Sequence, residues 1–191
     1  MVEDEQMLKL LKEIDICTKC PLHKTRKNAL TGDGRINSKI LLIGEAPGQL
    51  EDEKKKAFIG RAGQVLDTLL KEINLTRNNI YITNIVKCRP PQNRNPSPFE
   101  ITQCLPYLKN QLKIIKPKII ITLGNIAGKE IFEIVKIPFS KISKMHGRQF
   151  EIKTSYGQVL LIASYHPAAA LHNPNILSTV KADFIKINLI F

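Results

Sequence analysis

Cys17, Cys20, Cys88 and Cys104 are the chain's four cysteines. The first two form a Cys-x-x-Cys pair within Cys17-Thr18-Lys19-Cys20-Pro21. Cys88 stands in Lys87-Cys88-Arg89-Pro90-Pro91 and Cys104 in Gln103-Cys104-Leu105-Pro106. Four thiolates are a full ligand set for a tetrahedral zinc or an iron–sulfur cluster. Disulfides are the competing use. The N-terminus Met1-Val2-Glu3-Asp4-Glu5 is acidic and no apolar run follows it, so no secretory signal is expected and the cytoplasm is the expected compartment. Disulfides are rare there, hyperthermophiles excepted, and the spacing favours a metal or cluster. Zinc sites usually pair two short knuckles, whereas only the first pair here is close. The long gap leans toward a cubane cluster, whose ligands stand farther apart, without deciding it. Prolines after Cys20 and Cys88 stiffen both loops and reduce the entropy lost on closing such a site.

The bulk composition sets the frame. A length of 191 residues with 43% hydrophobic content predicts one folded domain, residues 1–191, with a full core. No apolar run reaches the length of a membrane span. The formal net charge of +12 favours a polyanionic partner, nucleic acid first, although a Lys-rich surface is also common in thermophile proteins. Trp is absent and aromatics make up 6% of the chain, which excludes an aromatic-platform RNA binder.

Four short apolar runs read as buried strands: Lys39 to Gly44, Ile80 to Asn84, Lys118 to Gly124 and Val159 to Ser164. Continuous β-branched runs fit strands covered on both faces. Helical spacing covers Glu3 to Ile14, Ala62 to Ile73, Pro98 to Ile115 (with Ser97 as N-cap), Asn125 to Ile134 and Ile176 to Ile187. Alternating strands and helices predict a three-layer α/β/α sandwich. Gln149 to Tyr156 reads as a small edge strand. In such folds ligands sit beyond the carboxyl ends of the strands. That points to the loops Gly44-Glu45-Ala46-Pro47-Gly48, Asn84 to Cys88, Gly124-Asn125 and Tyr165-His166-Pro167.

Gly44 to Gly48, then Phe58-Ile59-Gly60-Arg61-Ala62-Gly63, then Thr83 to Pro91, then His166-Pro167-Ala168-Ala169-Ala170-Leu171-His172-Asn173 occur in that order. With the four cysteines, they closely resemble the family 4 uracil-DNA glycosylases, iron–sulfur enzymes of thermophilic archaea and bacteria. The resemblance runs from Cys17 to about Asp183. It implies a central four-stranded parallel sheet flanked by helices, and a structural [4Fe–4S] cluster on Cys17, Cys20, Cys88 and Cys104. It further implies excision of uracil from DNA in base excision repair. The base is flipped out and its bond to deoxyribose C1′ hydrolysed, leaving an abasic site and an uncut backbone.

The resemblance also implies roles. Asn84 reads the base, because one carboxamide matches both uracil N3–H and O4 and mismatches cytosine. His166 donates to uracil O2, where charge develops. Phe58 stacks on the flipped base. Glu45 positions water or stabilises the sugar cation; family 1 enzymes carry an Asp one residue further on, where this chain has Ala46. Glu51 fills the space beside uracil C5 and excludes a thymine methyl. Backbone N–H groups near Ala46 and Gly48 touch the base. Leu171 is the intercalating wedge, although a strict family 1 register would select Ala170. Lys87, Arg89, Arg94 and Arg61 are candidate phosphate contacts. The loop Asp52-Glu53-Lys54-Lys55-Lys56-Ala57 departs from the family by lacking an expected glycine or proline. The expected partner is uracil-containing DNA, single- or double-stranded, bound by a monomer with no dissociable metal or nucleotide cofactor. No sequence feature marks a sliding-clamp contact. A DNA-binding or redox-sensing protein without catalysis, and a glycosylase for another damaged base, are the competing readings.

Overall fold

The computed structural model describes residues 2–171 and 173–188. Its strands are β1 (Asp33–Gly34), β2 (Ile40–Gly44), β3 (Ile80–Asn84), β4 (Ile119–Leu123), β5 (Gln149–Thr154) and β6 (Gly157–Ser164). The helices are α1 (Val2–Asp15), α2 (Gln49–Lys54), α3 (Arg61–Glu72), α4 (Pro98–Ile115), α5 (Asn125–Ile134), α6 (Ile142–Met145), α7 (Pro167–Ala170) and α8 (Pro174–Asn188).

The strands form one sheet in the order β1-β3-β2-β4-β6-β5. Among the described residues the sheet has six strands and is mixed, two strands more than the central four-stranded parallel sheet expected. The inner strands β3, β2, β4 and β6 are parallel, and β1 and β5 pair antiparallel at the two edges. The physical reason lies in the edges. Inner strands β2, β3 and β4 are buried at every position, so they read as solid apolar runs. β1 has only Asp33 and Gly34 and carries no hydrophobic signal, while β5 is mostly exposed or half-buried. A two-residue turn joins β5 to β6. There Gly157 takes φ +123°, and the Thr154 hydroxyl donates to the Gly157 carbonyl at 2.8 Å.

Side chains alternate across the sheet. Leu41, Ile43, Tyr81, Ile120 and Leu161 face one core, built with Met7, Leu10 and Ile14 of α1, Leu108 of α4 and Phe132 of α5. Ile40, Leu42, Ile82, Ile121 and Ile162 face the other, built with Leu66, Leu69 and Leu70 of α3 and Val180 and Phe184 of α8. The result is the expected α/β/α sandwich. From β2 the chain passes to β3 on one side and later to β4 on the other. The carboxyl end of β2 is therefore a topological switch point, where such sheets open a crevice.

Candidate active site

That crevice is a cavity of about 350 Å³. Glu45, Ala46, Gly48, Glu51, Phe58, Asn84 and His166 all line it, together with Pro47, Ala62, Pro90, Asn93, Arg94 and Ala168. Every residue expected to touch the base is thus brought to one hollow from four separate segments.

Asn84 is the last residue of β3 and lies opposite Gly44, the last residue of β2. Its side chain is buried, 3% exposed, and its Oδ1 has no hydrogen-bond partner among the described residues. Buried acceptors are rarely left unpaired, which makes this atom a candidate ligand contact. Gly44 makes the space: a Cβ there would stand 2.5 Å from Asn84 Oδ1 and 2.6 Å from Phe58 Cζ.

Phe58 has φ +52°, a left-handed conformation that bulky side chains rarely adopt. Arg77 holds it there. Its guanidinium donates to the Ala57 carbonyl at 2.8 Å and to the Phe58 carbonyl, and it pairs with Asp67 at 2.7 Å. Gly63, in the first turn of α3, lets the Phe58 carbonyl approach where any Cβ would collide at 1.6 Å. The Phe58 ring faces His166 with centroids 5.6 Å apart and planes inclined 30°. The loop that lacks glycine and proline is closed by Lys55, which takes the left-handed C-cap of α2 at φ +53°. Buried Asp52 anchors it by accepting from the Lys27 N–H at 2.9 Å and the Asn28 N–H at 3.0 Å.

His166 is the N-cap of α7, and its Nδ1 accepts the Ala168 N–H at 3.1 Å. That contact assigns the proton of the neutral ring to Nε2. Burial pushes the His166 pKa down to about 4, against an opposing pull from Glu51, so the ring is neutral at ordinary pH. Gly124, at φ +92°, leaves room for it: its Cβ would lie 3.2 Å from that of His166. Burial also raises the Glu45 carboxyl above the usual carboxylate range. Glu51 has a second task besides lining the cavity. Its Oε1 accepts the Ile59 N–H at 3.1 Å and the Gly60 N–H at 2.9 Å, holding the start of α3.

The remaining expectations divide. Leu171, at the end of α7, is half-buried and outside the cavity wall; Ala170 is buried, and their neighbour His172 lies outside the described residues. Lys87 is corrected: it is 1% exposed and cannot reach a phosphate. Arg61 is exposed, and Arg89 donates to Asn93 Oδ1 at 2.7 Å. Arg94 reaches the cavity wall while paired with Glu100 at 2.7 Å, which draws that carboxyl below its usual range. Sequence reasoning did not assign Asn93, Pro90 or Ala168 to the cavity or Arg77 to Phe58. The positive-φ Phe58 carries no residue-type signal, and the Pro90–Asn93 segment was legible only as a stiff loop.

The four cysteines line a second cavity together with Ile14, Lys19, His23, Arg26, Lys87, Gln103 and Tyr107. All four are free thiols, not disulfides. Arg26 Nη1 donates to Cys88 Sγ at 2.9 Å, and the Lys87 N–H donates to Cys104 Sγ at 3.2 Å. Among the described residues, no group of three or more His, Cys, Asp or Glu side chains converges on a single metal ion. No helix among them is long and apolar enough to cross a membrane.

Comparison with known proteins agrees with this geometry. The sequence profile of the uracil DNA glycosylase superfamily matches residues 31–188. A type-4 uracil-DNA glycosylase of Sulfurisphaera tokodaii is 44% identical over 184 residues, 96% of this chain and 84% of that one. One from Archaeoglobus fulgidus is 42% identical over 183 residues, covering 96% and 92%. A third, from Saccharolobus solfataricus, is 45% identical over 177 residues, covering 92% and 82%. A cavity at the switch point lined by Asn84, His166 and Phe58, and a profile and relatives that span nearly the whole sequence, lead to one assignment: the chain belongs to the uracil-DNA glycosylase superfamily and, within it, to the type-4 uracil-DNA glycosylases.

Proposed function

We propose that this protein is a monofunctional glycosylase that hydrolyses the bond between deoxyribose C1′ and uracil N1 in DNA. The observation that carries the reading is the unpartnered, buried Oδ1 of Asn84, a residue that lines the cavity. Uracil N3–H supplies the missing donor, and the carboxamide NH₂ meets O4. Cytosine has no N3–H and would leave the acceptor orphaned, at the cost of an unpaired buried group. A neutral His166 with its proton on Nε2 is suited to donate to O2 as the C1′–N1 electron pair moves onto the base. Phe58 supplies an aromatic face for the flipped ring. Glu45, in the cavity wall, orients water toward C1′ in this reading; burial raises its basicity, which favours taking the water proton. The water oxygen bonds to C1′, uracil leaves as the anion, and the anion is then protonated. Glu51 closes the side of uracil C5, and the Ala46 and Gly48 backbone borders the base. Leu171 is the wedge into the duplex.

Cys17, Cys20, Cys88 and Cys104 hold a [4Fe–4S] cluster in this reading, and the donor set fits it. Burial raises the Cys20, Cys88 and Cys104 thiols, Cys104 to about 11. Thiolates here need compensating positive charge, which cluster iron and the Arg26 guanidinium together provide. Four thiols around one cavity supply the full ligand set that a cluster needs. When bound, the cluster supplies a structural cross-link between the segment after α1 and the loop after β3.

The protein works as a single domain and a monomer on uracil-containing DNA. The deciding experiment offers oligonucleotides bearing U opposite G, U opposite A, single-stranded U, T opposite G, or hypoxanthine, in EDTA. Release of uracil with an intact backbone is expected; a protein that binds every substrate and releases no base from any of them refutes the proposal.

A further inference from the structure

Lys87 is among the largest fully buried side chains and forms no ion pair with Asp or Glu among the described residues, its acidic neighbours being the Cys104 and Cys88 thiols. A buried ammonium without a counter-charge is costly unless hydrogen bonds replace its water. Lys87 Nζ makes three, each of 2.7 Å: to the Asn84 carbonyl, to Thr83 Oγ1 and to Gln111 Oε1. Gln111 in turn donates to the Thr31 carbonyl, so its amide is fixed in orientation. The position of the Asn84 contact is informative. Asn84 ends β3 and is its last residue in register with β2. The next two amides bond the end of β2 and the residue after it, Ile85 N–H to the Gly44 carbonyl at 2.9 Å and Val86 N–H to the Glu45 carbonyl at 3.1 Å. The Lys87 backbone meanwhile donates to Cys104 Sγ, and its neighbour is Cys88. One residue thus lines the cysteine cavity and hydrogen-bonds the peptide that carries Asn84.

We propose that Lys87 is a positioning residue for base recognition, whose side chain clamps the peptide of Asn84 and links the order of the cysteine site to the direction of the Asn84 carboxamide. This rests on the reading of Asn84 as the base reader. A carboxamide that must meet two uracil atoms at once tolerates little rotation of the backbone it stands on. Without the ammonium, the Asn84 carbonyl loses its restraint and the carboxamide samples directions that do not serve both contacts.

A double-mutant cycle on the iron-bearing protein tests this. Lys87→Met keeps most of the side-chain volume and removes the charge. Single-turnover uracil excision should fall by about tenfold or more, and the loss should nearly vanish when Asn84 is already Ala, because coupled residues are non-additive. Amide hydrogen exchange at Ile85 and Val86 should quicken in Lys87→Met while iron content is retained. Equal fold-losses in both Asn84 backgrounds, or unchanged exchange at those amides, overturn the proposal. If Lys87→Met does not accumulate with iron, Thr83→Val serves in its place. It removes one ammonium partner and preserves a β-branched strand residue, and a loss of about threefold that disappears with Asn84→Ala is expected; an additive loss overturns the proposal. Wild-type protein that released no uracil would refute the reading of the whole site, whereas active wild-type protein with additive losses refutes only the role of Lys87.

Discussion

Asn84 and His166 line the same cavity, and the proposed function gives them different tasks that substitution separates. Asn84→Asp keeps the size but removes the donors when ionised, so uracil O4 meets an acceptor. A large loss of uracil excision is expected, with weak gain of cytosine excision, since cytosine N4–H₂ can donate to the new carboxylate. His166→Ala should lower the single-turnover rate by about 10²–10³ without altering base preference or DNA affinity. Near-normal uracil excision by either variant falsifies its assignment. The proposed function assigns acid sensitivity to a third residue. His166 has its folded pKa pushed down to about 4, so its neutral form survives through the mildly acid range and gives no loss of activity there. Glu45 is raised by burial and must be ionised to accept a proton. As pH falls, kcat/KM should therefore decline with an apparent pKa above the ordinary carboxylate range, and Glu45→Gln should be slow at every pH and lack that limb. A limb that persists unchanged in Glu45→Gln would assign the titration elsewhere.

At the level of elements, the site depends on how strands end. The last residue of β2 is a glycine with ordinary backbone geometry, so its requirement is space alone. In Gly44→Ala the new methyl would press on Asn84 Oδ1 and on the Phe58 ring at once. Overpacking of this kind costs about 1–3 kcal/mol. A lowered melting temperature is expected together with a larger loss in excision than in DNA binding; unchanged excision would show that the cavity relaxes around the methyl. The same logic explains α3. Its N-terminus is held by Glu51, its Gly63 admits the Phe58 carbonyl, and Arg77 closes the loop from outside. Together they hold Phe58 in a backbone conformation that it would not adopt alone.

Across the whole molecule, two properties have measurable consequences. The cysteine cavity joins residues at the end of α1 to the loop after β3 and to α4, sites far apart in sequence. Closing such long loops stabilises a fold by restricting the unfolded chain. Cys88→Ala and Cys104→Ala should each lose iron, the brown absorbance and thermal stability together; a colourless wild-type protein with one zinc would refute the cluster. The net charge of +12 predicts binding to DNA that weakens steeply with salt, as neutralised phosphates release counterions. A flat salt dependence by fluorescence anisotropy would deny the charge that role.

Residue type and order alone determined the inner strands, the long helices and the loops that carry chemistry. Ile80 to Asn84 and Pro98 to Ile115 have the observed bounds of β3 and α4, because a fully buried strand and a proline-started, Ser97-capped helix are written in local composition. The edges of the sheet were only partly legible: Asp33–Gly34 pairs through backbone alone, and a short half-exposed strand needs little hydrophobic pattern. The sequence could also name Asn84, His166 and Phe58 without showing their state. Whether Asn84 Oδ1 is orphaned, which nitrogen of His166 bears the proton, and that Lys87 points inward rather than toward DNA depend on contacts between distant segments. Burial and hydrogen-bond partners arise from packing, and packing exists only once the strands, helices and loops have met.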